Sequence, residues 1–139
     1  MTDVFTPEKR RSIMATVHGR NTSPEKRVRS MLHKLGYRFR LHATSLPGRP
    51  DIVLPRYRKV VFVHGCFWHQ HPGCSRASTP TTNREFWLAK LQGNVARDLL
   101  VQQQLKEVGW QFMVVWECEL RRPQDVEDRL RQFLNQDDV

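Results

Sequence analysis

The sequence has no long apolar run. Its longest uncharged stretch, Val60 to Ser75, contains three histidines and is too short and too polar to span a bilayer. The opening residues, Met1-Thr2-Asp3-Val4, carry no apolar segment of the kind that directs secretion. Cysteine is scarce: three residues cannot all pair, and a reducing compartment would keep them as thiols. A disulfide scaffold is therefore excluded, and 139 residues can bury a core without one. Internal repeats and low-complexity segments are missing too. Hydrophobic residues make up 39% and charged residues 27%, which excludes a disordered tail. These absences leave one expectation: a soluble, cytoplasmic, single-domain protein spanning residues 1–139.

Acidic residues are scarce in one half only. Residues 1–60 hold 14 Lys/Arg against 4 Asp/Glu, a net of +10, whereas residues 61–139 hold 9 against 10. Arginine outnumbers lysine 17 to 6. Its planar fork suits bidentate contact with phosphate. A basic half on a small domain points to a polyanion, above all nucleic acid.

Local patterns predict the elements. Thr6-Pro7-Glu8 signals a helix start, and the segment runs to about Val17 with a thin apolar stripe of Ile13, Met14 and Val17. Such a helix buries little and reads as an arm, residues 1–20, that lies on something else. Ser23-Pro24-Glu25 repeats the cap-proline-acid signal. Val28, Met31, Leu32 and Leu35 then follow at helical spacing, and Gly36 closes the helix. Tyr37 to Leu41 alternates as a strand, Asp51 to Leu54 is a short strand, and Lys59 to His64 reads as a central strand buried on both faces. A loop runs from Gly65 to Thr82. A long helix covers about Asn83 to Val108, with Gly93-Asn94 as a candidate break. Trp110 to Trp116 is a second buried strand and Pro123 to Phe133 a closing helix. The order predicts a mixed α/β sheet flanked by helices.

Cys66 and Cys118 each follow a predicted buried strand, and Cys74 lies in the loop between them. With His71 they supply three thiolates and an imidazole, a complete tetrahedral set for one structural zinc. Burial alone could account for Cys66 and Cys118, but not for Cys74 between Gly73 and Ser75. His69 is the rival to His71 as the fourth ligand. The loop has little apolar content, so a metal would give it order.

Asp51 opens a strand after Gly48-Arg49-Pro50, and the next strand ends at Val63-His64. If the two form a hairpin, the Asp51 carboxylate and the Val63 carbonyl make an oxygen site for Mg²⁺. A histidine nearby could activate water or protonate a leaving oxygen. Taken singly, Asp51 reads as a turn aspartate, His64 as a core histidine and Glu25 as a helix N-terminal acid. Phe67, Trp68 and Trp87 are large rings in polar, basic surroundings, whereas Phe86, Trp110 and Trp116 are expected in the core.

Together, Leu46-Pro47-Gly48-Arg49-Pro50-Asp51, Phe62 to His69, Thr82 to Trp87 and Val115-Trp116-Glu117-Cys118 resemble the very short patch repair endonucleases. The resemblance covers almost the whole chain, Met14 and Glu25 included. It implies a restriction-endonuclease-like fold with one structural zinc, and Mg²⁺-dependent nicking of one strand beside the thymine of a T:G mismatch, the product of 5-methylcytosine deamination. It implies that Asp51 and the Val63 carbonyl hold Mg²⁺, that His69 is the general base, and that His64 and Glu25 support it. It further assigns zinc to Cys66, His71, Cys74 and Cys118, intercalation to Phe67, Trp68 and Trp87, and a groove contact to Met14.

The chain departs from that family at two points. Val63 stands where threonine is usual, though a carbonyl ligand survives the change. The His71-Pro72-Gly73-Cys74 loop is one residue longer. The acidic-x-lysine motif common in this fold is replaced by Phe62-Val63-His64, as it is in the family. The implied partner is double-stranded DNA bearing a T:G mismatch, bound by a monomer. A mismatch-repair accessory protein is a candidate partner that the sequence does not decide. Two other classes compete: a zinc-stabilised DNA-binding module without catalysis, and a nuclease of the same fold with another specificity.

Overall fold

A computed structural model describes residues 22–135. The expected arm, residues 1–20 with Met14, lies outside the described residues. The elements are α1 (Ser23–Lys34), β1 (Arg40–Leu41), β2 (Ile52–Leu54), β3 (Lys59–His64), α2 (Arg84–Glu107), β4 (Gln111–Trp116) and α3 (Pro123–Asn135). Short 3-10 turns follow β2, precede α2 and follow β4.

The sheet runs β1-β2-β3-β4. β1 and β2 pair antiparallel, as do β2 and β3, while β3 and β4 are parallel from Lys59↔Gln111 to His64↔Trp116. The mixed sheet flanked by helices is as expected. β2 and β3 form the hairpin considered above, joined through Pro55–Tyr57, and Arg58 takes the left-handed conformation at its end. A long crossover containing α2 is what a parallel β3–β4 pair requires.

Each face of the sheet carries its own core. On one, Val28 and Leu32 of α1 and Val126 and Leu130 of α3 pack against Ile52, Val61 and Val115. On the other, Leu105 of α2 packs against Val53, Val60 and Phe62. Each fully buried leucine contributes about 1.5–3 kcal/mol. Lys59, also buried, donates to the Phe133 carbonyl at 2.6 Å and ties the start of β3 to the last turn of α3. No helix among the described residues is long and apolar enough to cross a membrane.

Several local expectations change. The cap of α1 is Thr22, one residue before the expected Ser23, and its hydroxyl accepts the Glu25 N–H at 3.4 Å. The first strand shrinks to Arg40–Leu41, which pair with Val53 and Ile52. Tyr37 and Phe39 pack on the core without joining the sheet. Along β4, Met113 and Val115 are buried on one face, while Phe112 and Val114, half-buried, pack against the second core. α2 passes Gly93-Asn94 unbroken. A helical glycine costs about 1 kcal/mol, too little to stop a helix this long. Asn94 spends its amide on the Trp68 carbonyl at 3.0 Å instead of on its own backbone. Phe86 is 60% exposed, not a core residue, because it sits on the outer side of the first turn of α2.

Candidate active site and metal centre

The hairpin register brings Asp51 to the end of β3. Ile52 faces Val61, so the residue before Ile52 reaches past Phe62, and Asp51 Oδ2 accepts the Val63 N–H at 2.8 Å. In an antiparallel pair a residue's N–H and C=O point to the same edge. The Val63 carbonyl is therefore turned to the side on which Asp51 lies. Burial raises the Asp51 pKa above the ordinary carboxylate value. The Val63 N–H and the charges of His42, His69 and Arg29 offset part of that rise. A buried carboxylate with a raised pKa gains by binding a cation.

Asp51 opens onto a cleft of about 910 Å³ that also takes in Glu25, His42, His64, His69 and Asp98. The loop after β3 folds back on itself, with His69 N–H on the Gly65 carbonyl at 3.1 Å and His71 N–H on the Cys66 carbonyl at 3.0 Å. This sends His69 into the cleft and His71 away from it. His69 Nδ1 meets Asp98 Oδ2 at 2.7 Å. A carboxylate only accepts, so Nδ1 carries the proton and the other ring nitrogen is the basic one. His64 stacks on His69 with centroids 3.8 Å apart. Arg49 and Arg97 line the same cleft and can meet phosphate.

Three residues here escaped the sequence reading. Asp98 lies on α2, 29 residues from His69, and no local motif links them. His42 Nε2 is 3.1 Å from both oxygens of Glu25. Arg29, one turn along α1, pairs with the same carboxylate. The spacing of Glu25 and Arg29 on a helix was readable as an i, i+4 pair. His42, just past a two-residue strand, gave no signal.

The sulfurs of Cys66, Cys74 and Cys118 and a ring nitrogen of His71 lie within 4.8 Å of one another, and Cys118 Sγ is 3.4 Å from His71 Nδ1. A zinc tetrahedron has edges of about 3.5–3.8 Å at ordinary Zn–S and Zn–N lengths, so the donor set fits. His69, the rival fourth ligand, groups with His64 and Asp98 instead. All three cysteines are free thiols. Burial, together with the neighbouring Cys118 and Cys74, pushes the Cys66 thiol up to about 12. The Arg76 N–H leads the effects that lower Cys74. Trp116 stacks on His71 at 4.2 Å and meets His64 edge-on at 5.1 Å. It therefore stands between the Cys/His cluster and the cleft instead of inside the core.

Phe67, Trp68 and Trp87 form one ring cluster, with centroids 5.1 to 5.9 Å apart. Trp68 is the buried member, at 8% exposure. Phe67 and Trp87 are half-buried, and exposed Phe86 extends the ridge beyond Trp87 at 5.3 Å.

The family model described as "DNA mismatch endonuclease Vsr" matches residues 2–76. Type II nicking enzyme V.XorIIP of Xanthomonas oryzae pv. oryzae is 50% identical over 135 residues, covering 97% of this chain and 98% of its own. DNA mismatch endonuclease Vsr of Escherichia coli (strain K12) is 44% identical over 128 residues, covering 92% and 81%. Among solved structures, the catalytic domain of homing endonuclease I-Bth0305I superposes with a TM-score of 0.59 at 18% identity, over 81% of this chain and 94% of that one. That last likeness concerns the fold alone.

Proposed function

The chain belongs to the Vsr family of DNA mismatch endonucleases, and from that premise we propose that it nicks one strand beside the thymine of a T:G mismatch with Mg²⁺. That it is a DNA-cleaving hydrolase follows from the family and its relatives. The observation that carries the finer reading is the convergence of Asp51, the His69–Asp98 pair and His64 in one cleft.

In this reading Asp51 and the Val63 carbonyl hold Mg²⁺. When bound, the ion supplies positive charge against the phosphate oxygens and the leaving oxygen. His69 accepts the proton of the attacking water at the nitrogen opposite Asp98. Asp98 keeps the tautomer and steadies the imidazolium that results. His64 packs against the His69 ring and limits its rotation. Glu25 supports the cleft from α1. In-line attack leaves a 5′-phosphate and a 3′-hydroxyl. Arg49 and Arg97 seat the backbone phosphates, and nicking a single strand needs one active site, so the working unit is a monomer.

Cys66, His71, Cys74 and Cys118 hold zinc in this reading. When bound, the ion cross-links the loop after β3 to the end of β4, and four protein ligands leave it no open position for chemistry. Phe67 and Trp87 lead a wedge that parts a weakened base step, with Trp68 behind them. Unstacking costs a few kcal/mol, less at a mismatch. Met14 is read as a contact in the opposite groove, and a mismatch-repair accessory protein as a candidate partner. A DNA substrate puts the proposed work in the cytoplasm.

The test is strand-resolved cleavage of T:G, other mismatched and homoduplex substrates, with and without Mg²⁺. The expected product is one nick, in the thymine strand, only with the metal. Equal cutting of homoduplex, or of both strands, would replace this reading with that of a nuclease of other specificity. Duplex binding without any cutting would leave a DNA-binding module.

A further inference from the structure

The residue just past the first strand adopts a backbone conformation that most side chains avoid. His42 has φ of +50°. Outside glycine that region is uncommon, with histidine among the few residue types enriched there. Such outliers cluster at sites whose surroundings hold them in place. Here the His42 N–H donates to the Asp51 carbonyl at 3.2 Å, and the turn aims its ring at α1. Ring Nε2 lies 3.1 Å from each oxygen of Glu25. Since a carboxylate only accepts, Nε2 carries the proton. Glu25 is itself 1% exposed and also accepts from Arg29. Polar atoms of Glu25, His42 and Asp51 lie within 4.8 Å of one another.

We propose that His42 is a positioning residue that ties Asp51, at the start of β2, to Glu25 on α1 and so holds the Asp51 carboxylate ready for its cation. This rests on the reading of Asp51 as the Mg²⁺ ligand. Nε2 is not itself a ligand, because its proton points at Glu25. The tether has three links: the main-chain bond to Asp51, the ring's grip on Glu25, and the anchoring of Glu25 by Arg29. Without the ring, the β1–β2 junction loses its hold on α1. The Asp51 carboxylate keeps its bond to the Val63 N–H, but the chain that carries it is no longer held to α1.

Two substitutions separate the ring from the backbone. Asparagine tolerates the left-handed region but is too short to reach Glu25, so His42→Asn removes the grip alone. Glutamine carries an amide donor at about the right length, so His42→Gln restores it. Nicking of a T:G duplex is followed across a Mg²⁺ titration for wild type and both variants, with the unfolding temperature and duplex affinity measured beside it. The expected result for His42→Asn is a Mg²⁺ half-saturation raised about tenfold or more, as for other residues that orient a metal ligand. Its kcat at saturating Mg²⁺ and its metal-free duplex affinity stay within about twofold of wild type, and His42→Gln lies closer to wild type than His42→Asn does. A His42→Asn curve that superimposes on wild type overturns the proposal and leaves the parent reading standing. So does a fall in kcat at unchanged half-saturation, or a His42→Gln variant as impaired as His42→Asn. A wild-type protein that does not nick with Mg²⁺ overturns both together.

Discussion

The rings of His64 and His69 lie parallel, 3.8 Å between centroids and 4° apart in plane. Stacking on one side and Asp98 on the other leave the His69 imidazole a single orientation. The carboxylate also decides which nitrogen is basic. Asp98→Asn keeps the shape but can place an amide N–H against Nδ1, which favours the wrong tautomer. We expect kcat to fall about 10²-fold or more while duplex affinity holds. Single-turnover nicking beside a binding titration checks this. A variant within threefold of wild type would remove Asp98 from the proton path.

Asp51 carries a stability cost that the proposed cation would offset. Burial raises its pKa, so folding favours the protonated acid. Below the unfolded-state pKa of about 3.9 the group is protonated in both states and costs nothing. As pH rises from there through the folded value, the folded state must accept a buried charge and loses stability. Asp51→Asn should therefore abolish Mg²⁺-dependent nicking yet melt a few degrees above wild type at pH 7 without Mg²⁺, where 1 kcal/mol corresponds to about 2–8 °C. The gap should narrow as pH is lowered toward 4, and adding Mg²⁺ should narrow it by stabilising wild type. A variant that melts below wild type at pH 7 would show that the Val63 hydrogen bond outweighs burial.

The sequence carried the elements further than it carried the contacts between them. Helical spacing of Val28, Met31 and Leu32, the β-branched run of β3 and the Cys/His placement each report on one segment, and these survive in the fold. Pairings between distant segments leave no such trace. Asp98 has no motif around it in sequence, and the packing of α2 on the sheet brings it to His69. His42 likewise gains its partner from the turn that follows β1. Trp116 looked like a core tryptophan because it ends a strand, yet its place between His71 and His64 comes from the parallel register with β3.

Gly48 holds the loop before Asp51 against α2. Its φ is +75°, and a β-carbon there would lie 2.3 Å from Val101 Cγ1. Gly48→Ala therefore meets both backbone strain and a clash. It should cost about 1–3 kcal/mol in chemical denaturation and weaken nicking by displacing the cleft wall. Val101→Ala in the same chain should recover the steric part and leave the part due to φ. An undiminished loss in the double variant would place the whole effect in the backbone.

Zinc binding at the proposed Cys66–His71–Cys74–Cys118 site should release protons. A Cys66 thiol held up to about 12 is protonated at neutral pH, whereas zinc takes the thiolate. Binding must therefore expel at least the Cys66 proton, and apparent affinity should fall at least about tenfold for each unit that pH is lowered between 8 and 6. Competition with a chelator across that range measures the slope. Calorimetry in buffers of different ionisation enthalpy counts the protons. Cys74→Ser should lose the metal under conditions where wild type retains it, and should melt lower. Because His71 stacks on Trp116 and Trp116 meets His64, stripping the metal should also change tryptophan fluorescence and slow nicking, without any zinc chemistry in the reaction itself. A pH-independent affinity, or unchanged metal content in Cys74→Ser, would mean that these thiols do not hold the ion.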